Sequence, residues 1–91
     1  MKHLSRQIEA TAPTIKERLL IRFGRAREKV GVNWRDALAH SDPFFNTKKG
    51  ADYMRSVAQA ASNNKRGNVD RIERVTIGLE KLAGIKSRPI V

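Results

Sequence analysis

The sequence contains no cysteine. That excludes disulfides, thiolate metal sites and thiol nucleophiles, and it fits a reducing interior. No apolar run approaches the roughly 18 residues of a membrane span. Met1–Ala12 lacks the apolar core of a signal peptide. The expected location is cytoplasmic, away from membranes. His3 and His40 are the only histidines, and His40-Ser41-Asp42 has no second His or Cys beside it to complete a metal set. No Gly-rich loop has phosphate-cradling spacing. Ser62–Lys65 matches Ser-x-x-Lys but no companion motif follows. Glu17, Asp36 and Asp52 each stand beside Arg or Lys, as ion-paired surface charges do. The expectation is a chain with no catalytic residue, no metal and no cofactor. Aromatics are scarce, with three Phe, one Trp and one Tyr, which leaves little material for the stacking platforms of single-strand binders.

What is abundant is positive charge. Nineteen Lys and Arg oppose nine Asp and Glu, a net charge of +10. Such an excess implies a polyanionic partner: nucleic acid first, an acidic protein second, an anionic membrane third. Arg outnumbers Lys, which favours two-pronged contacts to phosphate or guanine. The 91 residues make a single domain, with 1–12 a basic arm (Lys2, His3, Arg6) and 86–91 a tail. Leu, Ile, Val and Phe supply about a quarter of the chain, above the roughly 20% below which disorder sets in. The core is small, and a homodimer interface would supplement it.

Helical periodicity dominates. Thr14 and Glu17 have capping-box spacing. Ile15, Leu19, Phe23, Ala26 and Val30 then form an apolar stripe, widened by Leu20 and Ile21, that Gly31 ends. Gly24 inside this helix suggests close packing. Asn33 is placed to cap a short second helix, with Ala37 and Leu38 as core contacts and Trp34 as a packing anchor. Ser41–Gly50 reads as a turn with Phe44 and Phe45 plugged into the core. Asn46 or Thr47 caps the third helix, whose start Gly50 could delay to Asp52. Over Lys48–Ser62, Met54, Val57, Ala58 and Ala61 give the apolar face, and Lys49, Asp52, Arg55, Ser56 and Gln59 the polar one. After the turn at 62–67, Asn68 caps a last helix with the stripe Val69, Ile72, Val75, Leu79, Leu82. Asp70 and Arg74 are an i, i+4 pair on its flank, Gly78 suggests a close helix approach, and Gly84 stops it. Ile77 falls off the stripe. With Ile85, Ile90 and Val91 it outlines an apolar patch suited to a dimer contact. The fold class is all-α, a compact bundle of four to five helices.

The run AREKVGVNWRDALAHS resembles the first two helices of the lambda repressor-like (Cro/XRE-type) helix-turn-helix domain. The carriers are Arg27, Glu28, Gly31, Val32, Asn33, Ala37 and Leu38. DYMRSV and KRGNVDRIERVTIGLEKLAG resemble that family's recognition helix, basic turn and following helix, with Val69, Ile72, Leu79, Leu82 and Gly84 in place. The resemblance spans 15–85. The interval between Gly31 and Gly67 is about three helical turns longer than usual. The resemblance implies a helix-turn-helix within the bundle and a dimeric, sequence-specific reader of double-stranded DNA that regulates transcription.

On that reading Lys48, Lys49, Tyr53, Arg55, Ser56 and Gln59 face the major groove. Arg55 suits guanine and Gln59 adenine. Arg35, Lys65 and Arg66 fix the register on phosphates. Two other readings of the charge remain open: an adaptor that binds an acidic protein, and a DNA-bending or RNA-binding accessory protein that grips backbone alone.

Overall fold

The helix ends are built from the capping signals. A computed structural model describes residues 14–63 and 68–86. Helix α1 spans Ile15–Val30. Thr14 Oγ1 accepts the Glu17 N–H at 3.1 Å and donates its hydroxyl to the Glu17 carboxylate at 3.0 Å, which satisfies an otherwise orphaned helix-start donor. Gly31 ends α1 at φ +107°, its N–H donating to the Arg27 carbonyl. Helix α2 spans Trp34–Ser41. Asn33 holds the N-cap position, but its side chain makes no cap hydrogen bond, contrary to expectation. The Trp34 N–H instead closes a turn onto the Gly31 carbonyl at 3.2 Å.

The 42–47 connection is more ordered than a plain turn. Pro43–Asn46 form a 3-10 helix. Asp42 Oδ1 accepts the Phe44 N–H at 3.1 Å, and Pro43, with its fixed φ and no N–H, suits the first helical position. Thr47 then caps α3 (Lys48–Ser62) by accepting the Gly50 N–H at 3.1 Å. The helix therefore begins at Lys48 and Gly50 does not delay it. Helix α4 spans Val69–Ala83. Asn68 accepts the Arg71 N–H at 2.9 Å, and Gly84, left-handed at φ +74°, closes the far end.

The result is an all-α bundle with one apolar core. Leu19, Phe23 and Ala26 enter it from α1, and Trp34 and Leu38 from α2. Phe45 comes from the 3-10 turn, Met54, Val57 and Ala60 from α3, and Ile72, Val75 and Leu79 from α4. Trp34 is the packing anchor expected of it, edge-on to Phe23 at 5.4 Å. The broadest helix contact joins α1 to α4, while the 3-10 turn sits between α2 and α3.

Several inward positions differ from the periodicity. Ile15 is 45% exposed, and the inward place goes to Arg22. Arg22 forms a two-pronged ion pair with Glu80, Nε to Oε2 at 3.0 Å and Nη2 to Oε1 at 2.7 Å, both side chains nearly sealed from solvent. On α4, Thr76 and Glu80 are buried, whereas Leu82 is 38% exposed. On α3 it is Ala60, not Ala61, that points inward. Gly50 is seated against the Phe44 carbonyl and the Phe45 Cα. That seat fixes the helix rotation, and one residue on is about 100° further round. Arg74 pairs with Asp42 at 2.9 Å rather than with Asp70.

The glycines divide. A methyl group on Gly78 would stand 2.8 Å from Leu38 Cδ1, so the close approach of α2 and α4 is real. A methyl on Gly24 would meet nothing within 4 Å, so the close packing expected there is absent. Gly24→Ala should then stabilise the fold by about 0.4–1 kcal/mol, through helix propensity and lost unfolded-state freedom. Urea unfolding should show a higher midpoint at unchanged m.

Candidate nucleic-acid interface

Six of the described arginines fall into two groups, and the division defines the site. One group holds the fold together. Besides Arg22, Arg27 lies over Phe23 at 5.0 Å. Arg74 lies over Phe44 and Phe45, each at 4.8 Å, while gripping Asp42. Arg71 lies over Tyr53 at 5.1 Å. Phe44 is edge-on to both Phe45 and Tyr53 at 5.0 Å. This cation–aromatic cluster ties the 3-10 turn and α3 to α4, each contact contributing about 0.5–2 kcal/mol. Partial burial pushes the Asp42 carboxyl up. The Arg74 hydrogen bond, the Phe44 N–H and the charges of Arg74 and Lys81 outweigh it and hold the carboxyl below its ordinary value.

The second group faces outward. Arg35 near the start of α2 and Arg55 and Gln59 on α3 line one shallow groove, together with Ala58, Ser62 and Asn63. Arg35, Arg55, Gln59, Ser62 and Asn63 are all exposed. Lys48, Asp52, Arg55, Gln59 and Ser62 recur at alternating steps of four and three, so they share one stripe of α3. Arg55 is held along that stripe by Asp52 at 3.0 Å. Arg35 lies over the Trp34 ring at 5.2 Å, which aligns its guanidinium without burying it.

Lys48 and Lys49 are exposed in the first turn of α3. Helices α1, α2 and α4 each carry an acid there, Glu17, Asp36 and Asp70, as the helix dipole favours, but α3 carries none. Two lysines at the positive end cost the helix a few tenths of a kcal/mol. They add to a concentrated positive potential at the place where backbone N–H groups already favour anions.

Two expected reading residues are placed differently. Tyr53 is half-buried, its ring packed on Phe44 and covered by Arg71, so it belongs to the cluster. Ser56 is half-buried beside the core position Val57. Ser62 and Asn63 join the groove without having been expected there; their signal was the four-and-three spacing from Arg55 and Gln59. Lys65, Arg66, Lys2, His3 and Arg6 lie outside the described residues, as do Ile90 and Val91. Of the apolar patch expected for a dimer, Ile77 is 39% exposed, but Ile85 packs on the core.

Six residues, Asp42–Thr47, separate α2 from α3, against the three or four of a standard helix-turn-helix. The extra length forms the 3-10 turn, and α3 itself runs for 15 residues. Among the described residues, no helix is long and apolar enough to cross a membrane, and no three His, Cys, Asp or Glu side chains are grouped to hold a metal ion. No protein-family model, curated protein or solved structure matches this chain.

Proposed function

We propose that this chain binds double-stranded DNA in a sequence-selective way, as a small regulator of transcription, with the outer face of α3 lying in the major groove. The observation that carries the reading is the groove that Arg35 of α2 shares with Arg55 and Gln59 of α3, a helix whose other end holds Lys48 and Lys49. A helix of this length extends about 22 Å, and the major groove, about 12 Å wide, admits one. Arg55 and Gln59 carry the side-chain chemistry that pairs with guanine and adenine edges. Arg35, Lys48 and Lys49 supply charge for the flanking phosphates. Binding as a homodimer, through the side of α4 that exposes Ile77, would match two half-sites one turn of DNA apart.

Two substitutions separate the roles. Arg55→Ala should cost about 1–3 kcal/mol on a preferred duplex and relax the choice at one base pair. Lys49→Ala should weaken preferred and random duplexes alike and lower the salt slope by about one. Fluorescence anisotropy titrations over a salt series measure both. Identical losses on preferred and random DNA for the two variants would sink the assignment of Arg55 to base reading.

A further inference from the structure

The α1–α2 turn presents an apolar side chain to solvent with unusual completeness. Val32 is 95% exposed, more than any other large apolar residue among the described ones. It is held firmly in that state. Gly31, at φ +107°, donates to Arg27 on one side; on the other, the Trp34 N–H donates to Gly31 and the Trp34 ring packs against Phe23. A fixed turn with an outward valine gives the fold nothing, because burial is what makes an apolar side chain stabilising.

Its surroundings suggest what it meets. Val32, Asn33, Trp34, Arg35 and Asp36 line a second shallow depression. Arg35 lines this one and also the groove of Arg55 and Gln59. The two depressions share Arg35 as a wall, so Val32 and the Arg55–Gln59 pair flank the same cation.

We propose that Val32 is a specificity-determining residue that contacts the 5-methyl group of a thymine at the edge of the bound site. The inference rests on the DNA reading. Thymine is the one base that offers a methyl group in the major groove, and small apolar side chains are its usual partners. Arg35 on the neighbouring phosphate would fix the distance, and Val32 would distinguish thymine from cytosine at that position without a hydrogen bond.

The test uses duplexes that the intact chain selects from a random pool, with each thymine replaced in turn by deoxyuridine, which lacks only the methyl. The wild-type chain should lose about fourfold in affinity at one position, the value of one buried methyl-sized group. Val32→Ser should lose about fourfold on the thymine duplex and show no difference between thymine and deoxyuridine there. Its unfolding midpoint should stay at the wild-type value, since the side chain is solvated. Selective binding with no deoxyuridine effect, or an equal effect in both proteins, overturns the Val32 contact alone. Absence of any duplex preference in the wild type overturns the DNA reading and this contact with it.

Discussion

Glu80→Ala should destabilise the protein by about 3–5 kcal/mol, a large part of the 5–15 kcal/mol that a domain usually commands. The cost comes from Arg22. Its side chain is 6% exposed and donates two hydrogen bonds to the Glu80 carboxylate. Without the carboxylate, a cation stays between α1 and α4 with its principal counter-charge gone. The loss falls on the broadest helix contact in the bundle. Removing both charges should behave differently. Arg22→Met with Glu80→Leu keeps the volume and deletes both desolvation costs, so it should recover most of the loss. Chemical denaturation of Arg22→Met, Glu80→Leu and the double variant measures the coupling. A single-variant loss below about 1 kcal/mol would mean that water reaches the pair and that it is only a surface bridge.

Gly50→Ala should cost about 3 kcal/mol, at the top of the range for overpacking. A methyl there would run into the Phe44 carbonyl and the Phe45 Cα, which are backbone atoms that no rotamer change can move. The gain in helix propensity, about 1 kcal/mol, is too small to offset it. Relieving the clash would push α3 away from the 3-10 turn and disturb the edge-on packing of Phe44 with Tyr53 and Phe45. The variant should therefore lose near-UV dichroism from its aromatics as well as melting temperature. On the proposed DNA reading, duplex affinity should fall too, because the same seat sets which face α3 turns outward. Unchanged stability would show that α3 tolerates a different seat.

Local signals made much of this fold legible. Thr14, Thr47, Asn68 and Gly84 end their helices as their side chains or lack of one dictate, and these are interactions within four residues. Phe23, Val57 and Leu79 read as core from their helical spacing, Leu38 as the contact of a short helix and Phe45 as an apolar plug in a polar turn, and all five are buried. What escaped was long-range. Arg22 and Glu80 are 58 residues apart, and no local period pairs them. A signal did exist: Arg22 lies three after Leu19 and four before Ala26, and Glu80 lies eight after Ile72, so two opposite charges occupy inward positions on different helices. Helix spacing pairs Arg74 with Asp70, but Asp42, brought close by the 3-10 turn, captures it. The rotation of α3 depended on the contact at Gly50, which is why Ala60 and Ala61 were exchanged.

The candidate site was legible in the same measure. Exposed cations and Gln59 on α3 follow from the polar side of an amphipathic helix. That Arg35 would join Arg55 and Gln59 in one groove depended on how α2 sits beside α3. Tyr53 looked like a reading residue because its spacing puts it next to the polar face. Phe44 and Arg71, from two other elements, enclosed it.

The most direct test of the central claim is selection of the chain against a random duplex DNA library near physiological salt with excess nonspecific competitor. The account expects a recovered motif with two-fold symmetry, its half-sites about 10 base pairs apart, whose enrichment Arg55→Ala reduces. Recovery of no motif, with duplex binding confined to low salt, would contradict it and reduce the +10 charge to general backbone affinity.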